Sequence, residues 1–424
     1  MKHRVAVTGL GVVSSIGRSV GTFTESLLAG RSGAGPIRSF DPASLATRIA
    51  AEVPLEPHEL AGGAPDSGPL AGRCLRDRKI HFGLDAARQA MAAAARGGAG
   101  LARDPAGGYG VSLGIGLELF ELDDMVARRR PGFIPPAALG DRLTFLQTPS
   151  DLVAHLIGLE HALTSPPRVH ISACAAGADA IGDAYHLVAS GRRRWMLAGG
   201  TDSMINPMAV AGFCKLYATT TRNDAPERAS RPFDRGRDGF LLGEGAAFLV
   251  LERWHDAVAR GAHVHGEILG YGNSFDAHGI TEPHPEGRGA LQAMQRALAD
   301  AGLGPDDIDA INAHGTSTPK NDPVETLAIR RLLGDRARDV PISATKSLTG
   351  HLIAAAGAIE AVAALVCIER QTVHPTLNLE DPDPACDLDY VPGHARAHPQ
   401  RHVLSNSFGF GGQNAALVFG RSPL

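Results

Sequence analysis

Val169-His170-Ile171-Ser172-Ala173-Cys174-Ala175-Ala176-Gly177 is the stretch on which the reading of this chain turns. Val169–Ser172 has the character of a short buried strand, and Ala175–Val188 has the spacing of a helix with a small-residue face. Cys174 therefore falls at a strand-to-helix turn, where the unpaired N–H groups of the first helical turn face its sulfur. Such a terminus lowers a thiol's pKa and offers donors to an oxyanion. Cys174 is a candidate nucleophile.

The pattern returns later. Val340-Pro341-Ile342-Ser343-Ala344-Thr345-Lys346-Ser347 is also followed by a small-residue helix, Leu352–Ile368, and a strand. Phe248–Leu251 closes the first unit and Ala416–Phe419 the second, each after a glycine-rich turn. Two similar α/β halves follow, residues 1–260 and 261–424, joined near Arg260-Gly261-Ala262. Apolar strands alternating with helices predict a mostly parallel, helix-covered sheet in each half. Residues 60–72 read as a Gly/Pro/Ala loop, 81–96 as a helix, and 127–148 as an extended loop or insertion.

The chain has 424 residues, 44% hydrophobic and 20% charged, enough for an ample core in two or three domain-sized units. A formal charge of −4 argues against nucleic acid or a membrane surface as partner. The basic runs Arg128–Arg130 and Arg192–Arg194 read first as solvated faces. Five scattered cysteines (74, 174, 214, 367 and 386) form no disulfide framework, which fits a reducing compartment. Met1-Lys2-His3-Arg4 leads straight into Val5-Ala6-Val7 without a signal-peptide core, and no apolar run reaches membrane-spanning length. A cytoplasmic location is the expectation.

Val5-Ala6-Val7-Thr8-Gly9-Leu10-Gly11-Val12-Val13-Ser14 imitates the start of a dinucleotide-binding unit. Its third glycine is replaced by Ser14, however, and no acidic residue ends a second strand about 20 residues on. The glycines read as a tight structural turn.

Four further segments carry chemistry. Asn312-Ala313-His314-Gly315-Thr316-Ser317-Thr318-Pro319 follows the strand-like Ile308–Ile311. Ala344–His351 places Lys346 and His351 at the entrance to the second small-residue helix. Asn406-Ser407-Phe408-Gly409-Phe410-Gly411-Gly412 is a glycine-rich turn with two aromatics, and Arg235–Gly245 is a charged one. In open α/β sheets such segments converge at strand carboxyl ends. Singly, each has a bland account: a capping histidine, core phenylalanines, a solvated Lys-His pair. Zinc on Cys174, His314 and His351 ranks low, because no close CxxC or HxxxH pair exists.

Together these segments resemble the β-ketoacyl-acyl-carrier-protein synthases of the elongating Cys-His-His type, in the thiolase-like superfamily. Ser172-Ala173-Cys174, Gly199-Gly200, Thr221–Asp224, Ser230–Asp234, Asp238-Gly239-Phe240, Asn312–Pro319, Thr345–His351 and Asn406–Gly412 carry the resemblance, in order, over nearly the whole chain. It implies a five-layered αβαβα fold of two duplicated halves, a homodimer or a heterodimer with a ketosynthase-like partner, and decarboxylative condensation of an enzyme-bound acyl group with malonyl-acyl carrier protein. No cofactor or metal is implied, since substrates ride on the carrier's phosphopantetheine.

By that resemblance Cys174 takes the acyl group, and neutral His314 and His351 donate N–H to the developing enolate. Lys346 orders the site, paired with Glu360. The N–H groups of Cys174 and Phe408 form the oxyanion hole, with Phe408 also acting as a gate. Thr316 and Thr318 hold the phosphopantetheine, and Asp276 supports from the 272–278 loop. An acidic carrier protein needs a basic docking patch: Arg73, Arg76, Arg78 and Lys79, Arg128, Arg129 and Arg130, and Lys215, which compensates for Tyr217 where relatives carry arginine.

Residues 115–168, among them Phe145–Asp151, depart most from the family pattern, and so does Lys320-Asn321-Asp322. These departures favour the ketosynthase subunit of a type II polyketide or polyene system over fatty-acid elongation. A catalytically silent chain-length-factor-like partner would usually lack the nucleophile. A thiolase acting on coenzyme A would need a second cysteine, which the turn at 406–412 lacks.

Overall fold

A computed structural model describes residues 2–54, 77–96, 100–101, 108–117 and 152–423. The expected loop at 60–72, the expected insertion at 127–148, Phe145–Asp151, Arg73, Arg76, Arg128, Arg129 and Arg130 lie outside the described residues.

Among the described residues, ten strands form one sheet: β1 Val5–Ser14, β2 Gly110–Ile115, β3 Arg168–His170, β4 Trp195–Ser203, β5 Glu244–Arg253, β6 Gly266–Phe275, β7 Ala310–Asn312, β8 Ile342–Ser343, β9 His402–Gly409 and β10 Gln413–Gly420. Their order is β8-β7-β9-β10-β6-β1-β5-β4-β2-β3. Outward from the middle, one arm runs β1-β5-β4-β2-β3 and the other β6-β10-β9-β7-β8, so each arm repeats one order. The arms join where Val5–Val7 pairs with Gly266–Ile268.

Neither arm is mostly parallel, contrary to the expectation. β2 runs parallel to β3 and β4, and β7 to β8 and β9, but β5 and β10 are antiparallel to both their neighbours. β9 and β10 are joined by the short Phe410–Gly412 turn, which only an antiparallel pair can use. Both faces of these strands are nonetheless buried, so a parallel-looking apolar pattern appears in antiparallel strands.

Strand alternation assigns the layers. In β5, Ala247, Leu249 and Leu251 face an inner cluster shared with the helices Ala176–Ala189 and Ala356–Arg370. Ala246, Phe248 and Val250 face outward onto the helix Arg78–Ala94. In β10, Ala415, Leu417 and Phe419 face inward, while Ala416 and Val418 pack on the helices Arg288–Ala301 and Asn321–Leu333. The result is helix, sheet, helix, sheet, helix.

The two inner helices touch at their starts. A Cβ on Gly177 would lie 2.9 Å from Ala354 O, and one on Gly357 2.7 Å from Ala178 N. This crossing explains the small-residue runs at both positions.

β1 runs unbroken through Gly9 and Gly11, so the expected turn there is a strand. The glycines serve helix–strand approach instead. A Cβ on Gly9 would lie 2.2 Å from Ala90 O, and one on Gly11 1.9 Å from Ala86 O. Gly11→Ala is expected to cost about 1–3 kcal/mol by overpacking. Urea unfolding checks this, and an unchanged midpoint would contradict it.

Candidate active site

Cys174 lies in the 3₁₀ turn Ala173–Ala175 that opens the helix Ala176–Ala189, directly after Ala173 at φ 49°. A left-handed alanine is strained, and such strain gathers where a side chain must be aimed. The second half repeats the device: Ile353 stands at φ 48°, and Ile353–Ala355 opens the helix Ala356–Arg370. The structural counterpart of Ala173–Gly177 is therefore Ile353–Gly357, with Ala354 in the place of Cys174. Residues 340–347 match 169–177 only through the strand. Between β8 and the strained turn, the second half inserts a short helix, Lys346–Thr349, and then His351. The inserted segment carries Lys346 and His351.

His351 is aimed by its backbone. It donates to Leu241 O (2.7 Å) and accepts from Gly243 N (2.9 Å), which ties it to the charged glycine-rich turn. Its Nδ1 accepts from Ile353 N (3.2 Å), so the ring proton resides on Nε2, 3.1 Å from Cys174 Sγ. His314 follows β7, and its Nδ1 accepts from Lys346 Nζ (3.1 Å), which again leaves the proton on Nε2. Lys346 also donates to His314 O (2.7 Å) and pairs with Glu360. The two imidazoles stand edge-to-face with centroids 5.5 Å apart.

Cys174, His314, His351, Lys346 and Glu360 are all buried. Burial pushes both histidines well below the ordinary imidazole range, and the Lys346 charge adds to it, so both rings are neutral. Burial raises Glu360 to about 7 against the pull of Lys346.

The sequence expectation of an activated thiol is corrected. Burial pushes Cys174 up to about 11, although the Phe410 N–H and the Lys346 charge pull the other way. The resting Cys174 side chain is a thiol. Its alkylation by iodoacetamide, followed on the Cys174 peptide, is expected to rise about tenfold per pH unit from about pH 7 to about pH 10. A plateau near neutrality would contradict the buried-thiol account.

Cys174 Sγ and the two ring nitrogens lie within 4.8 Å of one another, so the trio left low for zinc does converge. They line a cavity of about 720 Å³ that reaches from Ile115 and Leu117 to Thr318 and Lys320. A thiol and two N–H-bearing neutral imidazoles on one wall suit acyl transfer coupled to enolate stabilisation.

Residues 2–257 match the beta-ketoacyl synthase N-terminal domain, and residues 265–380 match the C-terminal domain. The chain belongs to the beta-ketoacyl synthase family. This ketosynthase is 44% identical to the 3-oxoacyl-(acyl-carrier-protein) synthase 2 of Synechocystis sp., over 99% of this chain and 98% of that one. It superposes on a type II PKS ketosynthase solved with its acyl-carrier protein (TM-score 0.86, 30% identity, all of both chains). It also superposes on the ishigamide ketosynthase/chain length factor (TM-score 0.85, 35% identity, all of both chains). The five-layered thiolase-like fold is that of these neighbours.

The phenylalanine whose N–H faces the sulfur is not the one expected. The N–H that reaches Cys174 Sγ is that of Phe410, not Phe408. Phe408 is fixed within β9 in the core, its ring tilted on His314 at 5.7 Å. Phe410 sits in the turn between β9 and β10 against the cluster that contains Cys174, with Gly411 and Gly412 at φ 81° and 77°. The gate role therefore also fits Phe410, two residues on. Two phenylalanines in one motif left the register open in the sequence.

Thr316 and Thr318 both line the cavity, their hydroxyls 2.9 Å apart. Asp276 accepts from Asn414 Nδ2 (3.0 Å) and His284 N (2.9 Å) and donates its own N–H to Gly412 O (2.8 Å), linking its loop to the Phe410 turn.

Two docking expectations are overturned. Arg78 is bound to buried Glu244 and donates to Val53 O (2.9 Å). Lys79 is buried, pairs with Asp77 and donates to Leu117 O (3.0 Å). Both positions face the packed start of the helix Arg78–Ala94, which a count of charges cannot distinguish from a surface. Arg78→Ala is expected to cost about 3–5 kcal/mol by stranding Glu244; a loss below about 1 kcal/mol in urea unfolding would contradict the burial. Lys215 is exposed at the end of the helix Pro207–Lys215, next to Leu216 and Tyr217 at the cavity mouth.

Sequence reading missed Glu325. Its carboxylate accepts the N–H groups of His314 and Gly315 (2.8 Å each) and Asn406 Nδ2 (3.2 Å), which fixes the His314 loop against β9. Its signal was a glutamate one turn into the helix that follows the threonine motif. Asp202 was missed too: it holds Ala354 N (3.0 Å), steadying the second strained turn.

Proposed function

We propose that this ketosynthase carries out decarboxylative Claisen condensation on carrier-bound substrates. Cys174 attacks an acyl thioester, and its proton leaves with the departing phosphopantetheine thiol. A malonyl thioester then loses CO₂, and its carbanion attacks the Cys174 thioester carbon, expelling the cysteine sulfur, which takes up a proton. His314 and His351 donate Nε2–H to the thioester oxygen as it becomes an enolate. The N–H groups of Cys174 and Phe410 receive the oxyanion of the tetrahedral intermediates, and Thr316 and Thr318 bind the phosphopantetheine. The observation that carries this reading is the thiol flanked by two neutral imidazoles whose Nδ1 atoms are both occupied by donors. Neutral donors stabilise charge that grows only in the transition state.

The setting we favour is a type II polyketide or polyene system, with an acyl carrier protein and a ketosynthase-like partner subunit. Lys320-Asn321-Asp322 supports it: Lys320 pairs with Glu282 at the cavity mouth, while Asp322 is buried beside Arg237. The relatives solved with an acyl-carrier protein and as a ketosynthase/chain length factor support the partner classes. Lys215 at the mouth supports the acidic carrier. Fatty-acid elongation is the second reading, favoured by the 44% identity to the Synechocystis enzyme. Assay of the chain alone and with the ketosynthase-like product of a neighbouring gene separates them. Turnover that needs the partner is expected; full elongation of saturated acyl chains by the chain alone would overturn the polyketide setting.

A further inference from the structure

Away from the cavity, a second cluster brings together three metal-ligating side chains. His263 and His265 flank buried Val264 in the segment that leads into β6, so the alternation of an extended chain puts both imidazoles on one side. Glu369, the penultimate residue of the helix Ala356–Arg370, meets them there. His265 is fixed by its backbone N–H on Val7 O (2.9 Å). Its Nδ1 lies 2.7 Å from Glu369 Oε1, and His263 Nε2 lies 3.2 Å from the same oxygen. The two rings are perpendicular with centroids 4.5 Å apart, and all three ligand atoms lie within 4.8 Å of one another.

We propose that His263, His265 and Glu369 form a surface site for a divalent transition-metal ion of the zinc class, with water in the remaining position. A tetrahedral ion with bonds of about 2.1 Å holds its ligand atoms about 3.4 Å apart, so closing the site takes shifts of only tenths of an ångström at the observed pairs. Two imidazoles and a carboxylate suit zinc and its neighbours rather than calcium or magnesium. Glu369 supplies the carboxylate oxygen that both imidazoles already face. His263 is 69% exposed, which leaves an entry path and the water position. The ion clips the segment between β5 and β6 to the far end of the inner helix, about 20 Å along it from the Cys174 end.

The test uses tag-free protein carrying Cys174→Ala, which breaks the other convergent trio. Calorimetric titration with Zn(II) is expected to show one ion per chain, and Co(II) to give a visible spectrum without a thiolate charge-transfer band. His263→Ala and, separately, Glu369→Gln on that background should each weaken Zn(II) at least about tenfold, the loss even an outer partner of a ligand brings. Both are surface changes, and the metal-free melting temperature should stay close to the parent's. No saturable binding below about 100 μM free zinc, or equal affinity in both variants, would mean an ion pair only and overturn the proposal.

Discussion

Cys174→Ala is expected to leave no acyl-enzyme and to reduce condensation by roughly 10⁴-fold or more, the scale on which covalent nucleophiles act. Decarboxylation of the malonyl carrier should survive in this variant. The reason is spatial: His351 is held by Leu241, Gly243 and Ile353, and His314 by Glu325 and Lys346, and none of those contacts uses the cysteine. Intact mass after incubation with an acyl carrier reads the first effect, and CO₂ release from the malonyl carrier reads the second. A persistent adduct at another residue would contradict the nucleophile assignment. Loss of CO₂ release together with the adduct would contradict the division of labour.

His314→Ala and His351→Ala should each lower decarboxylation by about 10²–10³-fold, the cost of removing one preorganised donor from a buried oxyanion site. Acyl transfer onto Cys174 should persist in both, because the proposed mechanism assigns its oxyanion to backbone N–H groups. The two losses should not add, since both rings serve one oxygen. Lys346→Ala acts at one remove. It takes the donor from His314 Nδ1, so the ring proton is no longer confined to Nε2, and it leaves Glu360 buried without its cation. The expected signature is loss of decarboxylation together with a histidine whose tautomer signal shifts in nitrogen NMR. Decarboxylation at the normal rate in His314→Ala would rule out the donor role.

Much of this site was legible because its chemistry uses residues that are costly to bury. Cys174, His314, His351 and Lys346 are rare types inside a core, the first three each set beside glycine or alanine and Lys346 between Thr345 and Ser347, and that juxtaposition drew attention before any contact was known. Glu360 was legible for the same reason, as the one acidic residue within the buried stretch Ala356–Ile368 of its helix. What stayed hidden depended on three-dimensional packing. Gly9 and Gly11 look like turn glycines until the backbone of the helix Arg78–Ala94 is laid across them. Arg78 and Lys79 look like docking charges until Glu244 and Asp77 are seen to hold them. The thiol's acidity was misjudged because helix-terminus donors are local and readable, whereas desolvation comes from every layer around the sulfur. Phe408 was preferred to Phe410 because strand and turn could not be divided to the residue.

The strained turn carries the most general lesson. The repeat was recognisable from strand and helix composition, but its true register, Ala173–Gly177 on Ile353–Gly357, is set by a shared left-handed residue and a shared helix crossing. One copy keeps a cysteine and the other an alanine. The second copy's added segment supplies Lys346 and His351 to the first copy's sulfur.

The most direct test is a pulse and chase followed by intact mass. Wild type, His314→Ala and His351→Ala are each loaded from an acyl carrier and then mixed with malonyl carrier. The account predicts that all three gain the acyl mass on the Cys174 peptide and that only wild type loses it rapidly, releasing CO₂ as it does so. No acyl mass on Cys174 in wild type, or equally fast discharge by the histidine variants, would contradict it.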